Sequence, residues 1–214
     1  MKYTDAIFDN LDVWRNLPAY QLERRADIFF SIYLPEILFH KFGVKIEGVI
    51  PEFPVRVGSI HHDVDINQSF KVDYLAKATG SKTILLVELK TDEGSRRDKQ
   101  DWYLERAKQV GLIELLDGVR KIYKATKSKK KYEYLLGMLQ DLEFIVFEKG
   151  NIFEITQADY DIQIVYIQPN NLQGQDNIIT FQEVSEIIER HGDELSLRFS
   201  KSLLKWASTK AGEK

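Results

Sequence analysis

The sequence predicts an α/β fold: one mixed β-sheet flanked by helices, with accessory helices at the C-terminal end. Three observations carry this. Two β-rich runs, Lys71–Thr79 and Lys82–Lys90, are joined by Gly80-Ser81, a composition suited to a tight antiparallel hairpin. An apolar-dense helical stretch precedes them and a helix follows. Two more strand-like runs then give way to helix-start signals near the end of the chain.

Taken in order, residues from about Tyr20 to Phe42 are dense in Ile, Leu and Phe. That density reads as a largely buried helix, broken or kinked near Pro35 and ended by Gly43. Val44–Val57 is β-like, and its prolines at 51 and 54 mark an edge strand or bulge. The hairpin follows, then a helix over about Arg97–Leu116. Leu142–Glu148 and Asp161–Ile167 are strand-like. Thr180-Phe-Gln-Glu183 has the form of a capping box opening a helix to about Arg190. Gly192 and Asp193 then end that helix and start a last one to about Trp206. The expected organisation is one domain over 1–214, with a core over 20–168 and accessory helices over 178–208.

Composition narrows the functions available. With 43% hydrophobic and 29% charged residues the chain has an ordinary globular balance, and 214 residues suffice for a sizeable core. The absence of cysteine excludes disulfides, thiolate metal sites and a cysteine nucleophile. The N-terminus lacks the apolar stretch of a secretory signal, and no 18-residue apolar run is present, so a cytoplasmic protein without membrane association is expected. Asn67-Gln-Ser69 fits a glycosylation sequon and is read as chance in that setting. No phosphate-cradling GxxxxGK, GxSxG elbow or HExxH occurs.

The hairpin holds the chemistry. A two-residue turn at Gly80-Ser81 places Asp73 directly opposite Glu88. Alternation puts Asp73, Leu75 and Lys77 on one face with Ile84, Leu86, Glu88 and Lys90. Val72, Tyr74, Ala76, Leu85, Val87 and Leu89 form an apolar surface on the other. Directly opposed Cβ atoms lie roughly 4.5–5.5 Å apart, where like charges repel. Two carboxylates so placed call for a cation or a shared proton. Lys90 lies about 7 Å beyond Glu88 along the same face. The alternative is a salt-bridged strand end with no chemistry.

The order Asp73, fourteen residues, Glu88-x-Lys90 resembles the PD-(D/E)XK nuclease superfamily. The resemblance runs from about Gln21 to Leu116, through the order helix, strand, hairpin, helix. Val72 stands in place of the proline that gives the superfamily its name, a position variable within it. The resemblance implies a restriction-endonuclease-like core. It implies a divalent ion, Mg2+ or Mn2+, held by Asp73, Glu88 and the backbone carbonyl of Leu89. Lys90 would orient or deprotonate the attacking water. The implied activity is hydrolysis of nucleic-acid phosphodiesters, DNA foremost, with room for a homodimer. A non-catalytic descendant that only binds or scaffolds nucleic acid is the alternative.

Further residues follow from the resemblance. Ser95, Gln100 and Tyr103 are similar to Ser/Gln/Tyr positions found after the lysine in several branches. Gln100 shares a helical stripe with Leu104, Ala107 and Gly111, which sets it near the metal; a solvent-facing helix end is the other reading. Glu23 is the candidate for a further acid on the first helix, with Asp27 one turn on, although both also balance Arg24 and Arg25. Seven of the twelve residues from Arg120 to Lys131 are basic. This run, including Lys127, Lys129, Lys130 and Lys131, is either a solvated segment or a backbone-contacting patch with Tyr123 and Tyr132 for stacking. His61-His62-Asp63-Val64-Asp65 lacks zinc-site spacing and reads as a polar connection between strands. His40 and His191 have no sequence partner that suggests a triad.

Overall fold

A computed structural model describes residues 3–61, 65–92, 96–148, 152–156, 159–172 and 174–208. The elements run α1 (Tyr3–Trp14), α2 (Leu22–Phe42), β1 (Ile46–Arg56), α3 (Val57–Ile60), β2 (Ser69–Ala78), β3 (Thr83–Leu89) and α4 (Asp98–Ala125). They continue with α5 (Lys129–Asp141), β4 (Ile145–Glu148), β5 (Ile152–Ile155), β6 (Asp161–Gln168), β7 (Ile178–Thr180), α6 (Phe181–Ile188) and α7 (Glu194–Ser208). Five strands form a sheet in the order β1-β2-β3-β6-β7, with β1-β2 and β2-β3 antiparallel and β6-β7 parallel. The mixed α/β fold expected from the sequence is therefore present. No described helix is long and apolar enough to cross a membrane.

The chain divides into two compact units, Ile46–Glu88 with Asp98–Ile164, and Met1–Lys45 with Leu89–Arg97 and Val165–Lys214. In the first of these, β1 lies at the sheet edge, the position expected for a strand that carries Pro51 and Pro54. The hairpin has the expected register: Tyr74 pairs with Val87, Leu75 with Leu86, Ala76 with Leu85 and Lys77 with Ile84. Gly80 supplies φ +69° in the connection between β2 and β3, a conformation that an L side chain resists. Both faces of the hairpin are covered, not one: Leu75, Ile84 and Leu86 are as fully buried as Val72, Leu85 and Val87. Lys77, on the charged face, is only 6% exposed, and its Nζ donates to the Leu142 carbonyl (2.9 Å) and pairs with Glu47 (3.0 Å).

Helix α4 is longer than expected and is two helical segments meeting at Gly111, whose backbone (φ 78°, ψ 169°) only glycine adopts freely. The stripe expected from Gln100 to Gly111 therefore holds through Leu104 and Ala107, both buried, and ends before Gly111. The strand expected over 142–148 is shorter and pairs with β5 in a separate two-stranded sheet. Leu142 and Phe144 are instead drawn into the turn closing α5, through Leu142 N–H to Met138 O and Phe144 N–H to Leu139 O.

Gly118, in the second segment of α4, packs tightly. A Cβ there would lie 2.8 Å from Ser59 Oγ and 3.0 Å from Arg56 Cβ. Gly118→Ala should lower stability by about 1–2 kcal/mol, overpacking outweighing the gain in helix propensity. Chemical denaturation measures it, and Ser59→Gly in the same chain should restore part of the loss.

In the other unit α2 begins at Leu22, passes through Pro35 as one helix and ends at Gly43, whose N–H bonds to Phe39 O. Of the break or kink expected near Pro35, a break does not occur. Pro35 is on the exposed side, where the carbonyl it leaves unbonded can be hydrated. Ile28, Ile32 and Phe39 are also at least half exposed, so α2 is less buried than its composition implies. Phe8 of α1 stacks on Phe199 of α7 (5.6 Å), which meets Phe30 of α2 edge-on (5.1 Å). The capping box is present: Thr180 Oγ1 accepts from Glu183 N–H and Glu183 accepts from Thr180 N–H. Burial raises the Glu183 pKa, but hydrogen bonds from Lys41 and Thr180 outweigh it and bring it below the usual value.

Candidate active site

Continuing the β2-β3 register one step beyond Tyr74 and Val87 sets Asp73 opposite Glu88. Asp73 is half-buried and Glu88 is fully buried near the end of an apolar strand. A carboxylate in that position needs compensating polar contacts. Gln100, in the first turn of α4, supplies one: its Nε2 donates to Glu88 Oε2. Gln100 is thus turned inward, so the reading of it as a solvent-facing helix end is not the one adopted. On β1, between the pairs Pro51–Tyr74 and Phe53–Val72, Glu52 has φ +52°, a left-handed backbone unusual for a residue with a side chain.

Within the unit that contains α2, Lys90 is 3% exposed. Its N–H bonds to Ile167 O (2.8 Å), which fixes the end of β3, and its Nζ lies 4.0 Å from Glu23 Oε2. Glu23, in the first turn of α2, therefore does more than balance Arg24 and Arg25. Arg15 was not foreseen. Its Nη2 donates to Asp92 Oδ1 (2.9 Å), while its buried Nη1 has no hydrogen-bond partner among the described residues. Arg15 lies far from Asp92 in sequence, in the turn just past α1, a helix that the sequence reading did not assign.

The remaining candidates make other contacts. Tyr103 stacks on Phe70, with centroids 5.0 Å apart. Asp27 accepts from its neighbour Ile28 N–H. Ser95, His62 and Asp63 lie outside the described residues. Asp65 accepts from Arg56, whose hydrogen bond and charge hold the Asp65 carboxyl below its usual range. The basic run is partly consumed by structure. Lys129 donates to the carbonyls of Tyr123 and Lys124 near the end of α4, and Arg120 and Lys121 turn onto Asp117. Lys127, Lys130 and Lys131 are exposed. Lys121 and Lys124 line an open cleft of about 720 Å3 with Arg56, Asp65 and Asn67. His40 and His191 both pair with Glu36 (3.8 and 2.6 Å).

Among the described residues no group of three or more His, Asp or Glu side chains is arranged to hold a metal ion. What the hairpin offers is two opposed acids, a set of hard oxygen donors that suits a cation retaining several waters, as Mg2+ does. The donors fit such an ion in chemical type, with water completing its shell. No family model, curated protein or solved structure matches this chain.

Proposed function

We propose that the protein is a cytoplasmic, metal-dependent nuclease that hydrolyses phosphodiester bonds of nucleic acid, DNA foremost. The carrying observation is the hairpin register, which makes Asp73 and the fully buried Glu88 opposed acids. In this reading Asp73, Glu88 and the Leu89 carbonyl would hold Mg2+ or Mn2+, an ion that would supply Lewis-acid polarisation of a phosphoryl oxygen. Lys90 holds and orients the attacking water and steadies a phosphate oxygen with its ammonium group. Glu23 keeps that ammonium in place at the end of β3. Gln100 fixes the rotamer of Glu88 by donating to it. Lys127, Lys130 and Lys131 are offered as backbone contacts, Lys129 having been drawn into the end of α4.

The second reading is a non-catalytic member of the same fold that binds nucleic acid or acts as a scaffold. A net charge of −3, which does not attract phosphates, favours its scaffolding form, together with a metal group that does not reach three side chains among the described residues. Calorimetric titration with Mn2+ and cleavage assays on single- and double-stranded DNA separate the two. Wild type should bind Mn2+ and cleave, and Glu88→Gln should do neither. Equal inertness of wild type and variant over varied substrates, with no ion bound, would leave only the second.

A further inference from the structure

The start of α4 carries a cluster of rings that none of the proposed chemistry uses. The Trp102 indole is 43% exposed and lies 5.4 Å from the His61 ring and 5.4 Å from the Tyr103 ring. Tyr103 in turn lies nearly flat on Phe70, at 5.0 Å and 15°. His61, Tyr103 and Phe70 are half-buried, so Trp102 is backed by anchored rings and is not a loose surface side chain. Arg106 ties this part of α4 to the Ile60 carbonyl beside His61 (3.3 Å). A surface indole with fixed neighbours is a preorganised flat π surface, available to another ring at little entropic cost.

Charge tells which part of a nucleic acid this surface suits. Lys99 lies 5.5 Å from the Tyr103 ring and Arg106 stands one turn past Trp102, but Asp98, Asp101 and Glu105 occupy the same turns of α4. That mixture does not favour a phosphate backbone, whose contacts depend on accumulated positive charge. An uncharged base is indifferent to it and gains from stacking. Bases within a duplex have their faces occupied by their neighbours, whereas unpaired bases do not. The same turns of helix carry Gln100, which donates to Glu88, so the ring cluster begins beside the candidate site.

We propose that unpaired bases of single-stranded nucleic acid stack on Trp102, with His61 and the Tyr103–Phe70 pair as its support. The inference rests on the nuclease reading and gives its substrate a form: a single strand, or a duplex with a frayed end. The test is binding of oligothymidylate and of a blunt duplex in EDTA, followed by anisotropy and tryptophan quenching, so that no cleavage enters the readout. Trp102→Leu should weaken oligothymidylate binding about tenfold or more, with little change in the salt dependence and little effect on the duplex. Trp102→Phe keeps a ring and a folded control, and should stay within about threefold of wild type. Equal binding by wild type and Trp102→Leu, or no binding by wild type, overturns the stacking role. Metal-dependent cleavage by wild type, measured separately, tells whether the nuclease reading falls with it.

Discussion

Lys90→Met is expected to lower metal-dependent DNA cleavage by at least about a hundredfold while leaving the fold as stable as before or more so. The loss follows from removing a preorganised cation beside the reacting phosphate, an electrostatic contribution of about 10²–10³ in rate. The stability expectation has a different origin. Lys90 is 3% exposed, and its side chain fits where methionine of similar length would fit. Replacing a buried charge with an apolar side chain of like volume is often neutral or stabilising. Glu23, left behind, has a side chain 32% exposed and can be hydrated. Single-turnover cleavage rates and thermal midpoints on the same preparations read both effects. A purely structural lysine would show the reverse: unchanged cleavage with a lowered midpoint. Asp73→Asn should share the loss of cleavage, since it keeps shape and removes the charge that draws the ion.

The largest effect on stability is expected at Asp12. This carboxylate of α1 is 7% exposed and gathers donors from α7: Trp206 Nε1 (2.8 Å), Ser202 Oγ (2.9 Å), Lys205 Nζ (3.2 Å) and Arg198 Nη2 (3.3 Å). Asp12→Ala strands a buried indole N–H and a buried hydroxyl and removes the charge that two cations face. A loss of about 3–5 kcal/mol follows, on the order of 10 °C in thermal midpoint for a chain of this size. The pH dependence carries a sign. Burial raises the Asp12 pKa, but the hydrogen bonds from Ser202, Trp206 and Lys205, with the charge of Lys205, outweigh it and bring it below the ordinary value. The stabilisation is therefore fully present above the unfolded-chain pKa near about 4 and is lost as pH falls through the lower folded value. Wild type and Asp12→Asn should differ most near neutrality and converge in acid. A difference that held constant into strong acid would refute the assignment of charge to this site.

The candidate site was legible in the sequence where its geometry is local. Gly80-Ser81 sets the turn length, and a period of two along each strand then leaves no freedom in which residues oppose one another. Asp73 and Glu88 could thus be paired without knowledge of any other part of the molecule. Glu23 was named only from a resemblance and Gln100 from a resemblance and a helical stripe, because contact with Lys90 or Glu88 depends on how a helix packs against a strand. Helix α1 was missed although Phe8 and Leu11 mark a buried face at helical spacing. Arg15 and Asp12 were lost with it.

The amino-acid sequence by itself determined the hairpin register, the end of α2 at Gly43, the capping box at Thr180 and the edge position of the proline-bearing strand. Each of these is decided by residues within one or two turns of each other, through backbone allowance and local hydrogen bonds. Tertiary structure alone decided that both faces of the hairpin are covered, that Gln100 turns to Glu88 and Glu23 to Lys90, and that the rings around Trp102 assemble. These arise from packing between different elements, from 12 residues apart for Gln100 and Glu88 to several tens for the others, where burial and desolvation outweigh local preference.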